Sequence, residues 1–124
     1  MPKTSPVFRR LPALFSGNRP LRHRSRHANF VFLIGAGNAY FRFILCDSCL
    51  RLDEATKPMQ SWDMALRGDE NVWADHWKTM PPADAADILG MQSYGRLVIE
   101  GNLLPLLQNL QVIKDILALP RQLA

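Results

Sequence analysis

The sequence predicts an α+β fold whose strands come mostly first and whose helices come mostly later. Three observations carry this. Residues 30–67 hold four runs with the two-residue alternation of strands, residues 70–91 hold two stretches with helical spacing, and residues 96–120 add a fifth strand and a broad apolar helix. The predicted order is β-β-β-β-α-α-β-α. At 124 residues and 48% hydrophobic content, the chain is long enough for one domain with a single core.

Charge divides the chain at residue 30. Lys3, Arg9, Arg10, Arg19, Arg22, Arg24 and Arg26 are seven of the 15 basic groups, and no acid precedes Asp47. Residues 31–124 carry eight basic against eleven acidic groups, so the pI of about 9.5 describes the leader and not the body. With Pro2, Pro6, Pro12 and Pro20 and no sustained hydrophobic period, residues 1–29 are expected to be a disordered basic arm ahead of a domain at 30–120, with 121–124 a tail. Three roles stay open for the arm: a transit peptide, a polybasic contact for anionic lipid or nucleic acid, or an extension outside the fold. Arg22, Arg24 and Arg26 form its densest cluster and are the candidate contacts for an anionic membrane surface. No aromatic residue is interleaved with them, which argues against nucleic acid as a partner.

The elements follow in order. Residues 30–34 and 40–45 are β-rich runs joined by Gly35-Ala36-Gly37-Asn38, a hairpin pattern, with Phe41, Phe43 and Leu45 on one face of the second run. Asp47-Ser48 turns the chain into residues 49–53. After a polar stretch at 54–58, residues 61–67 alternate Trp62, Met64 and Leu66 against Asp63 and Arg67. Asp69 is placed to cap a helix over 70–79 that carries Trp73, Trp77 and Met80 as a stripe. Pro81-Pro82 breaks the chain, and a short helix over 84–91 ends at Met91.

The last third organises the rest. Residues 96–100 read as a strand with Leu97 and Ile99 on one face, and Gly101-Asn102 turns the chain into a helix capped by Asn102, with Pro105 tolerated in its first turn. The expected helix is a single one from 102 to 119. Leu103, Leu107, Leu110, Ile113 and Leu117 make its stripe, and Leu106 widens it, so the helix lies against a sheet or along a cavity.

Catalytic patterns are missing from the sequence. It has no G-x-S-x-G elbow, no H-E-x-x-H and no G-x-x-x-x-G-K-[ST], and Gly35-x-Gly37 lacks both the third glycine and the helix of a dinucleotide site. Cys46-Asp47-Ser48-Cys49 has C-x-x-C spacing, but the first cysteine ends a strand and no paired histidines complete a zinc set, so the expectation is two thiols flanking a turn. Thiols of this kind fit a reducing compartment, the cytoplasm or, if the leader is a transit peptide, the mitochondrial matrix. No cofactor or metal is expected, and no enzyme. No apolar run reaches the roughly 18 residues of a membrane-crossing helix.

The residues at the end of the chain resemble a known family. Asp63-Met64-Ala65-Leu66-Arg67-Gly68-Asp69-Glu70, a Trp-bearing helix, a short helix with Met91, and then Gly95-Arg96-Leu97-Val98-Ile99-Glu100-Gly101-Asn102 running into leucines are similar to the sterol carrier protein 2 family. The resemblance covers about residues 30–119. It implies a five-stranded sheet with helices packed on one face around an apolar tunnel, and binding of sterols, fatty acids, acyl-CoA or isoprenoids without catalysis. Some bacterial relatives act as accessories in isoprenoid quinone synthesis, so a protein-interaction module using the same apolar face is the alternative. The family's amphipathic helix ahead of the first strand has no expected counterpart here, since the Pro/Arg leader occupies its place. The candidate tunnel wall is Phe41, Phe43 and Met64 from the sheet, Trp73, Trp77, Met80 and Met91 from the middle helices, and Leu103, Leu106, Leu107, Leu110 and Ile113 from the last helix. Large flexible apolar groups of this kind adapt to an irregular ligand.

Overall fold

The computed structural model describes residues 5–53 and 62–123. The polar stretch expected at 54–58, Ser61, Lys3 and Ala124 lie outside the described residues. Five strands form one mixed sheet in the order β3-β2-β1-β4-β5: β1 (Phe30–Ala36), β2 (Ala39–Cys46), β3 (Cys49–Asp53), β4 (Met64–Gly68) and β5 (Leu97–Gly101). β1, β2 and β3 run antiparallel as expected, β4 returns parallel to β1, and β5 closes the far edge antiparallel to β4.

The register sorts the side chains. Phe32 pairs with Phe43 and Phe43 with Leu52 on one face, and Leu66 pairs with Ile99 on the same face. Phe32, Ile34, Phe43, Leu45, Met64 and Leu66 are completely buried there. The opposite, outer face carries ion pairs between neighbouring strands. Arg42 reaches Asp53 at 3.2 Å, and Arg67 reaches Glu100 at 2.8 Å while its guanidinium lies over the Tyr40 ring. One face is therefore core and the other meets water, as suits a sheet covered on one side.

Six helices gather on the apolar face: α1 (Ser5–Ser16), α2 (Arg19–Arg24), α3 (Glu70–His76), α4 (Ile88–Ser93), α5 (Leu103–Gln108) and α6 (Leu110–Ala118). Four are started by side chains that accept a backbone N–H. Asn18 caps α2, Asp69 caps α3 at 2.7 Å from the Val72 nitrogen, Asp87 caps α4, and Asn102 caps α5. The Asp69 and Asn102 caps are those the sequence predicts.

Two features differ from the sequence reading. The leader is not a disordered arm: α1 runs through Pro12, and Phe8, Leu11 and Phe15 from it and Leu21 from α2 are buried in the core. A proline inside a helix costs about 3 kcal/mol, and burying each of these side chains returns about 1.5–3 kcal/mol. The tertiary term wins. The packed unit thus includes α1 and α2, ahead of residue 30. The last helix is also two helices, because Asn109 interrupts it: its side-chain amide donates to the Pro105 carbonyl at 3.0 Å, and α6 starts without a side-chain cap. An asparagine that bonds back to the preceding turn competes with the helix ladder in this way.

Asp63 joins the centre of the sheet to its edge. Its carboxylate accepts the Val31 N–H at 2.7 Å and its carbonyl accepts the Asn102 N–H at 2.7 Å. Residues 119–123 form a final 3₁₀ turn instead of a free tail. Arg121 from that turn donates to the His76 carbonyl through both Nε and a terminal nitrogen, at 3.1 and 2.7 Å.

Candidate functional site

Between the sheet and its helices lies an interior lined by large apolar side chains. Phe41 and Phe43 point into it from β2 and Met64 from β4, while Trp73 descends from α3 and Trp77 from its C-cap. Each indole finds an acceptor, as a buried Trp needs: Trp73 donates to the Gly35 carbonyl at 3.0 Å and Trp77 to the Leu117 carbonyl at 2.9 Å. The first bond pins α3 to the end of β1. The second pins it to the end of α6.

Phe8 of α1 occupies the middle of this interior. Its ring lies 4.9 Å from Phe41, 6.3 Å from Phe43, 5.6 Å from Trp73 and 4.9 Å from Trp77, centre to centre. Phe8 is thus packed among the residues expected to line the tunnel. Phe8, Leu11 and Phe15 are the members of this core cluster that sequence reading missed. Their signal was present, since 8, 11 and 15 fall on one helical face, but Pro12 and the surrounding arginines hid it.

The candidate wall residues divide into two groups. Phe41, Phe43, Met64, Trp73, Trp77, Met91, Leu106 and Ile113 are buried in one cluster, with Leu110 partly buried against it. Met80, Leu103 and Leu107 lie outside it. α3 ends at His76, so the stripe does not continue to Met80, which is 88% exposed. Leu103 and Leu107 sit with Leu104 on the outward side of α5, where only Leu106 turns inward. One short helix therefore presents three leucines to solvent next to the break at Asn109.

Polar groups are few in the interior. His76 is almost completely buried, with Nδ1 2.8 Å from the Ala85 carbonyl, which fixes the proton on Nδ1. Nε2 has no hydrogen-bond partner among the described residues. Burial pushes the imidazole below its ordinary value against the upward pull of the Ala85 bond, and the nearby Arg121 charge adds a smaller push downward. An open depression of about 390 Å³ lies elsewhere, between α1, α2 and the final 3₁₀ turn, lined by Ala13, Leu14, Gly17, Asn18, Arg19, Pro20 and Gln122. It touches none of the candidate wall residues. Among the described residues no cluster of His, Cys, Asp and Glu is suited to a metal ion.

The basic candidates lie on α2 and just beyond it. Arg24 is paired with Asp115 of α6 at 2.6 Å, Arg26 donates to the His23 carbonyl, and Arg22 is half-buried, its Nε without a partner among the described residues. Arg9, Arg10 and Arg19 are exposed.

This arrangement of helices over one face of a β3-β2-β1-β4-β5 sheet has solved counterparts. A structure described as sterol carrier protein 2 matches with a TM-score of 0.66 at 11% identity, covering 94% of this chain and 94% of that one. The fold is that of sterol carrier protein 2. A ubiquinone synthesis protein, UbiJ-SCP2, matches with a TM-score of 0.62 at 12% identity over 98% of this chain and 92% of its own. Sterol carrier protein 2 from Yarrowia lipolytica in its apo form matches at 0.57, with 14% identity over 97% and 93% of the two chains. By sequence alone, no family model and no curated protein matches. α1 stands ahead of β1, in the place where the family resemblance implies an amphipathic helix and the leader is expected to supply none.

Proposed function

We propose that this domain binds a long apolar lipid, a sterol, fatty acyl chain or isoprenoid, without catalysis, between the apolar sheet face and the helices that roof it. The observation that carries this reading is α5. It exposes Leu103, Leu104 and Leu107 while Leu106 points into the core, and it is separated from α6 by the Asn109 break. A helix that is apolar on both sides and hinged at one end can swing outward and lay its leucines along a ligand. The lipid then takes space that Phe8, Trp73 and Trp77 fill here. Burial of an apolar ligand contributes about 25 cal/mol per Å² before the costs of association. The likeness in fold to sterol carrier protein 2 supports the same reading.

The exposed arginines of α1, of α2 and of the turn after α2 add a second contact, with anionic membrane, at about 1 kcal/mol per basic residue near the surface. Loading from a membrane would then bring carrier and cargo together. Neutralising Arg10, Arg19 and Arg26 should lower binding to anionic vesicles, and unchanged binding would remove this part of the proposal.

The deciding experiment is native mass spectrometry of gently purified protein, followed by organic extraction. A monomer with one lipid per chain is the expected result. A lipid-free protein that takes up no fluorescent fatty acid overturns it. The alternative reading is an accessory module in isoprenoid quinone synthesis that docks a protein on the α5 leucines. It is favoured by the fold likeness to the UbiJ-SCP2 ubiquinone synthesis protein, and a lipid-free oligomer would support it.

A further inference from the structure

We propose that Cys46 and Cys49 are a redox-active dithiol that closes reversibly to an intrachain disulfide across the tip of the β2–β3 hairpin. The two are register partners at the end of the ladder, and both are free thiols. Residues directly opposite in an antiparallel pair point to the same side of the sheet. Cys46 shares its face with Arg42 and Ile44, so both sulfurs project from the outer face, where Cys49 is exposed and Cys46 half-exposed. Opposed Cα atoms in such a pair lie about 4.5 or 5.5 Å apart. Either spacing falls inside the window of about 4.4–6.8 Å that a disulfide accepts. The Cα spacing therefore admits the bond, the Cβ atoms closing from about 4.5–5.5 Å toward the roughly 3.5–4.5 Å that it needs.

The turn between them is a second, independent sign. Asp47 and Ser48 both have positive φ, 52° and 57°, the geometry of a two-residue turn usually built from Asn-Gly. Two consecutive side-chain-bearing residues in the left-handed region hold the hairpin tight at a conformational cost. The result is that the thiols stay in register. Partial burial, and after it the Asp47 carboxylate, push the Cys46 thiol up. The exposed Cys49 is thus the sulfur that meets an oxidant first, and Cys46 resolves the adduct.

With a low-molecular-weight disulfide as oxidant, the steps balance. The Cys49 thiolate attacks one sulfur of the oxidant, forming a mixed disulfide and expelling one thiolate. Cys46 then loses its proton and attacks the Cys49 sulfur, forming the Cys46–Cys49 bond and expelling the second thiolate. Two protons and two electrons leave the protein, and the oxidant becomes two thiols. The hairpin tip lies on the open side of the sheet, away from the apolar interior, so this inference stands apart from the lipid reading.

The test is treatment of the full chain with oxidised glutathione, thiol alkylation, and intact mass before and after dithiothreitol. The chain has only two cysteines, so the mass reads the state directly. A monomer that has lost two hydrogens, takes no alkyl group and reverts on reduction is expected. In Cys46→Ser, a single glutathione adduct should accumulate on Cys49. Two glutathiones on the wild-type chain, a disulfide-linked dimer, or two alkylated thiols after oxidant would each overturn the proposal.

Discussion

The Phe8 ring sits edge-on to Trp77 with centroids 4.9 Å apart, so the first helix of the chain fills the space that α3 and the sheet enclose. Phe8→Ala should cost about 3–5 kcal/mol, read as a lower urea midpoint. If the interior is the lipid site, saturating fatty acid should restore part of that loss, since a ligand that binds only the folded state stabilises it by mass action. A stability change below about 1 kcal/mol would contradict the burial of this helix.

The two glycines that bracket β5 differ in what they resist. Gly95 has φ +76 and open space where a Cβ would project, whereas Gly101 has φ +98 and a Cβ there would come within 2.6 Å of the Trp62 ring and 2.7 Å of the Asp63 carbonyl. Gly95→Ala should cost only the backbone term, about 1 kcal/mol. Gly101→Ala should cost about 3 kcal/mol or more, because β4 backbone cannot yield. Equal thermal shifts for the two would refute this account.

These glycines also show what was legible. Gly101-Asn102, Asp69 and Pro105 act through their own backbone or the next turn, so their chemistry is local and the sequence declares it. The alternation of Phe41, Phe43 and Leu45 against Arg42 and Ile44 likewise declares a face. α1 was hidden for the opposite reason. It is held by Phe8, Leu11 and Phe15 reaching residues that are distant in the chain, while its local signs, Pro12 and a run of arginines, speak against a helix. The break at Asn109 depends on one side-chain bond to Pro105, which leucine periodicity passes over. Met80 was misplaced because the helical stripe was extended past the point where α3 stops.

Arg96 anchors the start of β5 to the helical layer, donating to Asp75 at 3.0 Å and Asp84 at 3.1 Å. Hydrogen bonds from Lys78 and then Arg96 hold the Asp75 carboxyl below its usual value. Arg96→Lys offers a point charge in place of a fork and cannot span both carboxylates. The expected loss is about 1–2 kcal/mol, and it should shrink in high salt. A loss that is insensitive to salt would assign Arg96 a packing role instead.

His76 makes stability depend on pH in a definite direction. Its folded value lies below the ordinary 6.5, so between the two values the unfolded chain holds more protons. The His76 contribution is then complete above 6.5 and declines as pH falls below it. Protonation would bury a cation that faces Arg121, offset in part by the bond to the Ala85 carbonyl and by Asp87. Asp75 has a depressed value and fails only below 3.8, a separate window. His76→Asn keeps a donor for the Ala85 carbonyl without titrating. Urea midpoints at pH 7.5 and 5.5 should differ more for the wild type than for His76→Asn, and equal differences would count against a buried neutral imidazole.

The lipid reading makes its sharpest demand on α5. Leu104 and Leu107 are 58% and 63% exposed, so charges placed there should leave folding within about 0.5 kcal/mol of the wild type. If the helix swings to cover a ligand, the same side chains become buried in the complex, each adding about 1.5–3 kcal/mol. Leu104→Asp with Leu107→Asp should then weaken uptake of a fluorescent fatty acid by at least about tenfold while the thermal midpoint of the empty protein holds. Leu89 offers a control, being an exposed leucine on α4, and Leu89→Asp should leave uptake unchanged. If both substitutions on α5 leave uptake intact, the ligand enters without this helix, and the three leucines belong to a protein contact.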